Sequence, residues 1–581
     1  MHRNISNEAN CMTVVVGKSA SKTGKVLLAH NEDDYLHAKV KHHYVPTADW
    51  PEGTLLPAEK GLTRIPQVAH TLGYAWVQIT GAEGGLSTSD CFLNEKGVCI
   101  VSDSSCGSRV DAEEPDLCKD GIVYELRRAV AERAHSAKEA MEIACALLDR
   151  YGYASAGRIY FFADRQDAYM LQVVRGKTYI GCRIPDDAVA VMSNHYTVHG
   201  LRDLENAVCS ENLIEYAVQK GWYAPADKEY SDFDFAKVYQ DPKTYRHPEN
   251  TLRQKYATQM LLGRPWSMDT DGFPPYVKAG RTLGIDDLME VMSTHYEGTA
   301  SDIRFGPGAS PHDTCVRRIC TGTTVESMIY DFTDDATMTT VWTAFGRPCE
   351  QMYLPLHPLA GESEGLEERE DPYAAVATHF DKKQYNTCHK EGVWQRMQDF
   401  QGLLEFRYAQ RIDSVRRMNS AALSYFKQKE ADARSMKGAD LNRIDAETLR
   451  YAAGQIDQYL ANEPLCDATI ADACIFYEDG LTRARVRFAY SGEPEEGSLV
   501  FGPGRSETNK DYAKPVFGGL ARQDSGLWEI AFIYEKAPLK SDGEGTYEFF
   551  LAGKSTEGKP FSAMALMDMD QDGKGKVHQD S

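Results

Sequence analysis

The stretch that most restricts this chain is residues 11–34, CMTVVVGKSASKTGKVLLAHNEDD. Thr13 to Val16 is a short β-rich run, Gly17 to Gly24 is turn-like, and Val26 to Ala29 is a second apolar run. In an antiparallel hairpin the start of the first strand lies beside the end of the second. The pattern therefore brings a thiol, Cys11, to one sheet end together with His30 and Asp33.

More sheet is expected at Tyr74 to Ile79, at Val98 to Ser102 after the turn-like LNEKG, and at Gly157 to Val174. Asp120 to Tyr151 reads as helix. Ile122, Val123, Leu126 and Val130 form one apolar stripe, Ser136 with Glu139 makes a capping-box signature, and Gly152 supplies a stop. Strands, two helices and strands again imply layers rather than a bundle. The acidic segment GESEGLEEREDP at 361–372 reads as a surface loop or boundary. Helical spacing then dominates from Gly392 to Leu460, and β-type runs return at Ala484 to Tyr490, Trp528 to Tyr534 and Tyr547 to Leu551. With 581 residues the chain is long enough for three or four average domains, or for one large domain with an appendage.

Charge narrows the function classes. Lys and Arg total 64 against 86 Asp and Glu, a formal net charge of -22, which argues against nucleic acid or an anionic membrane as a general partner. No apolar run reaches the roughly 20 residues needed to cross a bilayer. The opening MHRNISNEAN lacks the apolar middle of a signal peptide, so a cytoplasmic location is expected, although a signal trimmed earlier would leave no trace. The 14 cysteines include no CxxC and read as reduced, mostly buried thiols.

Cys11 is the strongest candidate for chemistry. A thiolate is a better nucleophile near neutral pH than a hydroxyl, but it needs a proton acceptor within reach, and no side chain next to it in the sequence supplies one. An N-terminal cysteine would carry its own acceptor, an α-amine with a pKa of about 7.7–8.0. That requires removal of residues 1–10. A free buried cysteine is the ordinary alternative.

The same stretch resembles the amino-terminal signature of the C69 family dipeptidases, which belong to the N-terminal nucleophile (Ntn) hydrolases. Cys11, Gly17, Glu32 and Asp33 meet its pattern, while His30 stands where these relatives usually carry arginine. LNEKGVCI resembles the family's Asn-Glu segment, which implies an oxyanion role for Asn94; a turn asparagine is the alternative. The stretch ending in MSNHYTVHG is similar to a later family segment and implies that Asn194 organises the nucleophile and substrate, against a turn-capping role. RRIC suggests Arg317, or its neighbour Arg318, as the distal active-site arginine. The resemblance spans about residues 11 to 410.

The resemblance implies an α+β fold, a four-layer αββα Ntn-hydrolase sandwich with additional C-terminal helices. The expected organisation is a leader at 1–10, a catalytic core at 11–410 and a helical and strand extension at 411–581 packed on the core. The implied activity is hydrolysis of dipeptides or short peptides after autocatalytic exposure of Cys11. The catalytic set is Cys11, Asp33, Asn94, Asn194, Arg317 and His30. An N-acyl amino acid amidohydrolase, or a noncatalytic binding protein that keeps the fold, are the alternatives. No cofactor and no metal are implied. His195 and His199 are spaced i, i+4 but lie in strand- or loop-like sequence, and no compact spacing ties His42, His43, His295 and His312 together. Asp568, Asp570, Asp572 and Gly573 open like a calcium loop, but Gln579 stands where a bidentate glutamate is needed, and a frayed terminus is the expectation. Side-chain preference and assembly state, a homo-oligomer included, stay open.

Overall fold

The computed structural model describes residues 11–34, 39–82, 86–103, 106–201, 204–270, 272–302, 310–312, 318–361, 371–380, 392–405, 407–435, 440–478, 480–503, 513–516, 518–534, 545–570 and 572–578. Most of the acidic segment at 361–372 thus lies outside the described residues.

The first hairpin forms as its pattern requires. Strand β1 (Met12–Val16) pairs antiparallel with β2 (Leu27–Asp33), in a register running from Met12↔Asn31 to Val16↔Leu27. All five residues of β1 are buried, because the strand also pairs with Ala188–Ser193 on its other edge and lies inside a seven-stranded sheet. Gly17 ends the strand where the chain passes over the turn at Pro185 and Asp186. A Cβ there would sit 2.3 Å from the Pro185 carbonyl oxygen, so only glycine allows this approach.

A second, eight-stranded sheet runs from Lys39–Val45 at one edge through Tyr74–Ala82, Leu86–Asn94, Cys99–Asp103 and Arg158–Ala163 to Val208–Cys209 at the other. Its strands alternate with period two. Ile159, Phe161 and Ala163 join Met12, Val14 and Val16 in one core, while Tyr160 and Phe162 join the opposite core under helices Glu125–Ala131 and Ala137–Tyr151. Helices Pro248–Leu262 and Ile285–Met292 pack against strands of the seven-stranded sheet. The helix at Ala137 starts at Ser136, whose hydroxyl accepts from the Glu139 N–H. The Glu139 carboxylate takes the His135 N–H instead of closing the box, and Gly152 ends the helix at φ 73°.

Beyond residue 392 come helices Val393–Glu405, Tyr408–Ser435 and Leu441–Asn462, then a nine-stranded sheet with a hydrophobic cluster of its own. A bridge between Phe501 and Ala513 joins the two ends of that sheet into a near-barrel. The whole is a mixed α+β fold with several sheets and C-terminal helices. The helix Tyr408–Ser435 runs across residue 410, and Val415, Ala422 and Phe426 belong to the same core as β1. Phe550 joins that core from the nine-stranded sheet. Its ring covers Gly402, where a Cβ would meet it at 2.5 Å. The calcium-like tail is neither an ion loop between helices nor frayed. Asp570 closes a turn between strands Pro560–Met569 and Gly575–Val577, and Asp568 is held by Thr546 and His578. Gln579 lies outside the described residues.

His357 fastens the helices to the main sheet. Its Nδ1 lies 2.8 Å from Asp445, and its Nε2 lies 3.1 Å from Glu430, which Arg434 also contacts. Burial disfavours the imidazolium, but the two carboxylates outweigh it and raise His357 to about 9. A pKa raised above the ordinary 6.5 gives stability that is complete below that value and is lost as pH climbs through about 9. The shift corresponds to about 3 kcal/mol. Denaturant unfolding at a series of pH values should show this loss in the native chain, and His357→Gln should flatten it.

Candidate active site

The geometry around Cys11 follows from sheet register. Met12 opposes Ser193 on one side and Asn31 on the other, so one residue earlier Cys11 stands between Asn194 and Glu32. The thiol is 2% exposed. Its Sγ lies 3.5 Å from Glu32 Oε2 and 3.9 Å from the Asp33 carbonyl oxygen. The hairpin thus brings Cys11 to Asp33 as expected, while His30 reaches it through Glu32.

Arg253, fully buried on the helix Pro248–Leu262, ties the site together. It donates to the Cys11 carbonyl oxygen at 3.1 Å, to Asn194 Oδ1 at 2.8 Å and to Asn250 Oδ1 at 2.6 Å. Asn250 in turn donates to the Asn194 carbonyl at 3.0 Å. With Oδ1 turned to Arg253, the planar amide of Asn194 presents its N–H groups away from that guanidinium. Asp33 is oriented by two hydroxyls: Thr324 donates to Oδ1 at 2.7 Å and Thr321 to Oδ2 at 3.1 Å. Neither Arg253 nor the threonines stand out in the sequence, since a lone helical arginine or a TGTT turn has no signature of its own.

His30 is fully buried in a proton chain. The Thr13 hydroxyl donates to Asp103 at 2.8 Å, leaving its oxygen to accept from His30 Nδ1 at 2.9 Å. His30 Nε2 then faces Glu32 Oε2 at 2.9 Å. With Asp103 ionised, that contact needs one proton, either on the imidazole or on the carboxyl. Either way the His30–Glu32 pair is neutral overall, the same net charge as an Arg–Glu pair.

Asn94 is placed elsewhere, and the oxyanion expectation for it is corrected. It ends the strand Leu86–Asn94 beside a turn whose Gly97 has φ 78°. Its Nδ2 donates to the carbonyls of Ala131 and Ala134 at 2.9 and 2.7 Å, and its Oδ1 accepts the N–H groups of Lys96 and Val98. Both amide donors are therefore committed to a helix end, the turn role that the sequence also allows. Arg317 lies outside the described residues. Its neighbour Arg318 is buried, with its guanidinium 5.1 Å from the Tyr296 ring centroid.

The i, i+4 histidines do not share a helix face. His195 accepts the Arg246 N–H at 3.0 Å, and burial lowers it to about 4, so it stays neutral; His199 pairs with Asp234. His42 faces Glu326 and His43 faces Gln78. Among the described residues three groups have donor atoms close enough to hold a metal, of which two are Cys11, His30 and Glu32 at this site, and His295, His312, Cys320 and Cys349 apart from it. A third group, His312, Glu350 and Glu405, is crossed by ion pairs from Arg347 to both carboxylates.

A buried thiol heading a central antiparallel strand, with a carboxylate and an anchored asparagine beside it, defines a cysteine-centred site on a two-sheet scaffold. The chain belongs to peptidase family C69, whose model matches residues 10–389. It is similar to a probable dipeptidase of Latilactobacillus sakei, 26% identical over 371 residues that cover 61% of this chain and 75% of that one. A probable dipeptidase of Salmonella dublin is 25% identical, covering 60% and 80%. Structures of two variants of conjugated bile acid hydrolase from Clostridium perfringens match 58% of this chain and 89% of theirs at 10% identity. Their TM-scores of 0.27 and 0.25 are too low to carry an argument.

Asn94→Ala should destabilise the protein by about 2–4 kcal/mol, because two helix-end carbonyls and two turn N–H groups lose their partners. The check is a lower urea midpoint with the turnover of the folded variant unchanged. An oxyanion donor would show the reverse, a large loss of kcat at intact stability.

Proposed function

We propose that this chain is a cysteine-type dipeptidase of the N-terminal nucleophile class, with Cys11 as nucleophile once residues 1–10 are removed. The observation that carries the reading is the position of Cys11, immediately ahead of the central strand β1, with Glu32 and Asn194 flanking it and Arg253 holding its carbonyl. Family membership and the dipeptidase relatives support the substrate class. On this reading, residues 1–10 are a leader and the two antiparallel sheets between helix pairs are a four-layer αββα core. The shared packing of helices Val393–Glu405 to Leu441–Asn462 supports a catalytic unit reaching past residue 410, with the nine-stranded sheet as an extension.

In the mechanism, the freed α-amine of Cys11 takes the Sγ proton, and the thiolate attacks the scissile carbonyl carbon. The carbonyl π electrons move to oxygen. The N–H groups of Asn194, pre-oriented by Arg253, are the side-chain donors that we assign to that oxyanion. The tetrahedral intermediate collapses, the C–N bond breaks, and the Cys11 ammonium passes its proton to the leaving amine. Water, deprotonated by the same amine, then cleaves the thioester and restores the thiol. Asp33, held by Thr321 and Thr324, orients the ammonium group of Cys11 or of the substrate. The neutral His30–Glu32 pair lets a thiolate form without a net negative neighbour, the role that arginine would fill with Glu32.

Amino-terminal sequencing of the purified chain, together with turnover on a dipeptide panel, tests this. The native chain should begin at Cys11 and hydrolyse dipeptides in preference to N-acyl amino acids. Cys11→Ala should keep residues 1–10 and lose about 10³–10⁶-fold in turnover while remaining folded. Active enzyme with Asn10 still attached would overturn the mechanism. The opposite preference, for N-acyl amino acids, would move the substrate class to the amidases.

A further inference from the structure

A second set of reactive side chains lies away from Cys11 and takes no part in the proposed hydrolysis. His295 follows the helix Ile285–Met292, Cys320 precedes the strand Thr324–Asp331, Cys349 follows the strand Thr340–Ala344, and His312 lies between the first two. All four are buried and their ligand atoms lie within 4.8 Å of one another. His312 Nε2 is 3.2 Å from His295 Nε2, 3.3 Å from Cys349 Sγ and 3.8 Å from Cys320 Sγ.

These separations are the edges of a small tetrahedron. With zinc–nitrogen bonds of about 2.0–2.1 Å and zinc–sulfur bonds of about 2.3 Å, tetrahedral edges come to about 3.3 Å for N···N and about 3.6 Å for N···S. The outer hydrogen bonds carry the argument further. His295 Nδ1 lies 3.0 Å from Glu297, and His312 Nδ1 lies 3.0 Å from Glu405. Each carboxylate draws the ring proton to Nδ1 and so turns the Nε2 lone pair inward, the carboxylate–histidine arrangement that supports metal-bound imidazoles. Two Nε2 atoms 3.2 Å apart are held together either by a proton on one of the rings or by a cation that binds both lone pairs. Arg347 lies 3.1 Å from Glu405 and Arg416 lies 3.4 Å from Glu297, so each outer carboxylate meets a guanidinium, and two thiolates would neutralise a divalent ion inside.

We propose that His295, His312, Cys320 and Cys349 form a Cys2His2 site for a structural zinc ion. Two sulfurs and two nitrogens suit zinc rather than magnesium or calcium, and four protein ligands leave no open position for a catalytic water. The ion would cross-link the connection between helix Ile285–Met292 and strand Thr324–Asp331 to the chain that follows strand Thr340–Ala344. One link reaches the Cys11 site: Asn31 of β2 donates to the carbonyls of Met292 and Ile319 at 2.9 Å, and Thr321, next to Cys320, binds Asp33. Zinc therefore acts on Asp33 as a positioning device, through Thr321.

The test is elemental analysis of the full chain, purified under reducing conditions without chelator. One zinc per chain is expected, retained in Cys11→Ala and lost in the Cys320→Ser/Cys349→Ser double variant. Should that variant fail to fold, the native chain reconstituted with Co²⁺ decides. Tetrahedral d–d bands with thiolate charge transfer are expected, and zinc-edge absorption should show two sulfur and two nitrogen neighbours. The proposal is overturned if the reduced chain neither retains nor takes up zinc, if the zinc survives in the double variant, or if peptide mapping finds Cys320 and Cys349 joined as a disulfide. None of these readouts uses a substrate, so they stand apart from the outcome for the dipeptidase reading.

Discussion

The buried guanidinium of Arg253 is the constraint on which the cysteine-centred site depends. A cation removed from water is tolerated only when its donors are matched by well-placed acceptors. Arg253 has the Cys11 carbonyl, two asparagine side chains and the Glu249 carbonyl. Two of these acceptors lie on its own helix, Asn250 and the Glu249 carbonyl, and two lie off it, the backbone at the head of β1 and Asn194 at the end of the neighbouring strand. Satisfying the charge therefore locks the helix Pro248–Leu262 to the sheet and sets where Cys11 begins. Replacing any acceptor leaves a buried charge short of a partner, so the site tolerates little drift.

What was legible in the sequence is what local chemistry determines. The hairpin follows from two apolar runs and a turn, and its register alone puts Cys11 against β2. The helix at Ala137 follows from Ser136 and Gly152. Asn94 was ambiguous because a turn asparagine and an oxyanion asparagine share the same local pattern; only the Ala131 and Ala134 carbonyls, contributed by a helix some forty residues on, tell them apart. Arg253 was illegible for a simpler reason. Its partners lie 242 and 59 residues away, and nothing in PENTLRQKYATQMLL marks one arginine as buried. The proposed metal-ligand cluster was missed in the same way, since three of its members are spread along one connection, the fourth follows a later strand, and no two fall within a finger-like spacing.

On the proposed reading, His30 keeps beside Glu32 the neutral pair that an arginine there would give. Arginine beside Glu32 would give a neutral pair by a permanent charge. A histidine does so only if a proton is held in place, and the Thr13–Asp103 contact holds it by claiming the hydroxyl proton and leaving Nδ1 to donate. The neutral pair is then a property of four residues, two of them on strands of different sheets. It follows that Thr13 and Asp103, which look like ordinary core polar residues, take part in the electrostatics of Cys11.

The same dependence across the fold joins the two cysteine-containing clusters. Asn31 lies one residue from Glu32 on β2, and its side chain holds the carbonyls of Met292 and Ile319, which border the segment carrying His295 and Cys320. Asp33, two residues along, is held by Thr321 and Thr324 from the far side of that segment. The polar end of β2 is thus gripped between Cys11 on one side and the His295–Cys320 region on the other. Asp33 takes its orientation from two hydroxyls, one of which, that of Thr321, sits on the chain next to Cys320. On the zinc proposal, a four-ligand cross-link beside Thr321 fixes that hydroxyl with no need for more core, and this gives a soft-ligand cluster buried behind the Cys11 site a structural reason.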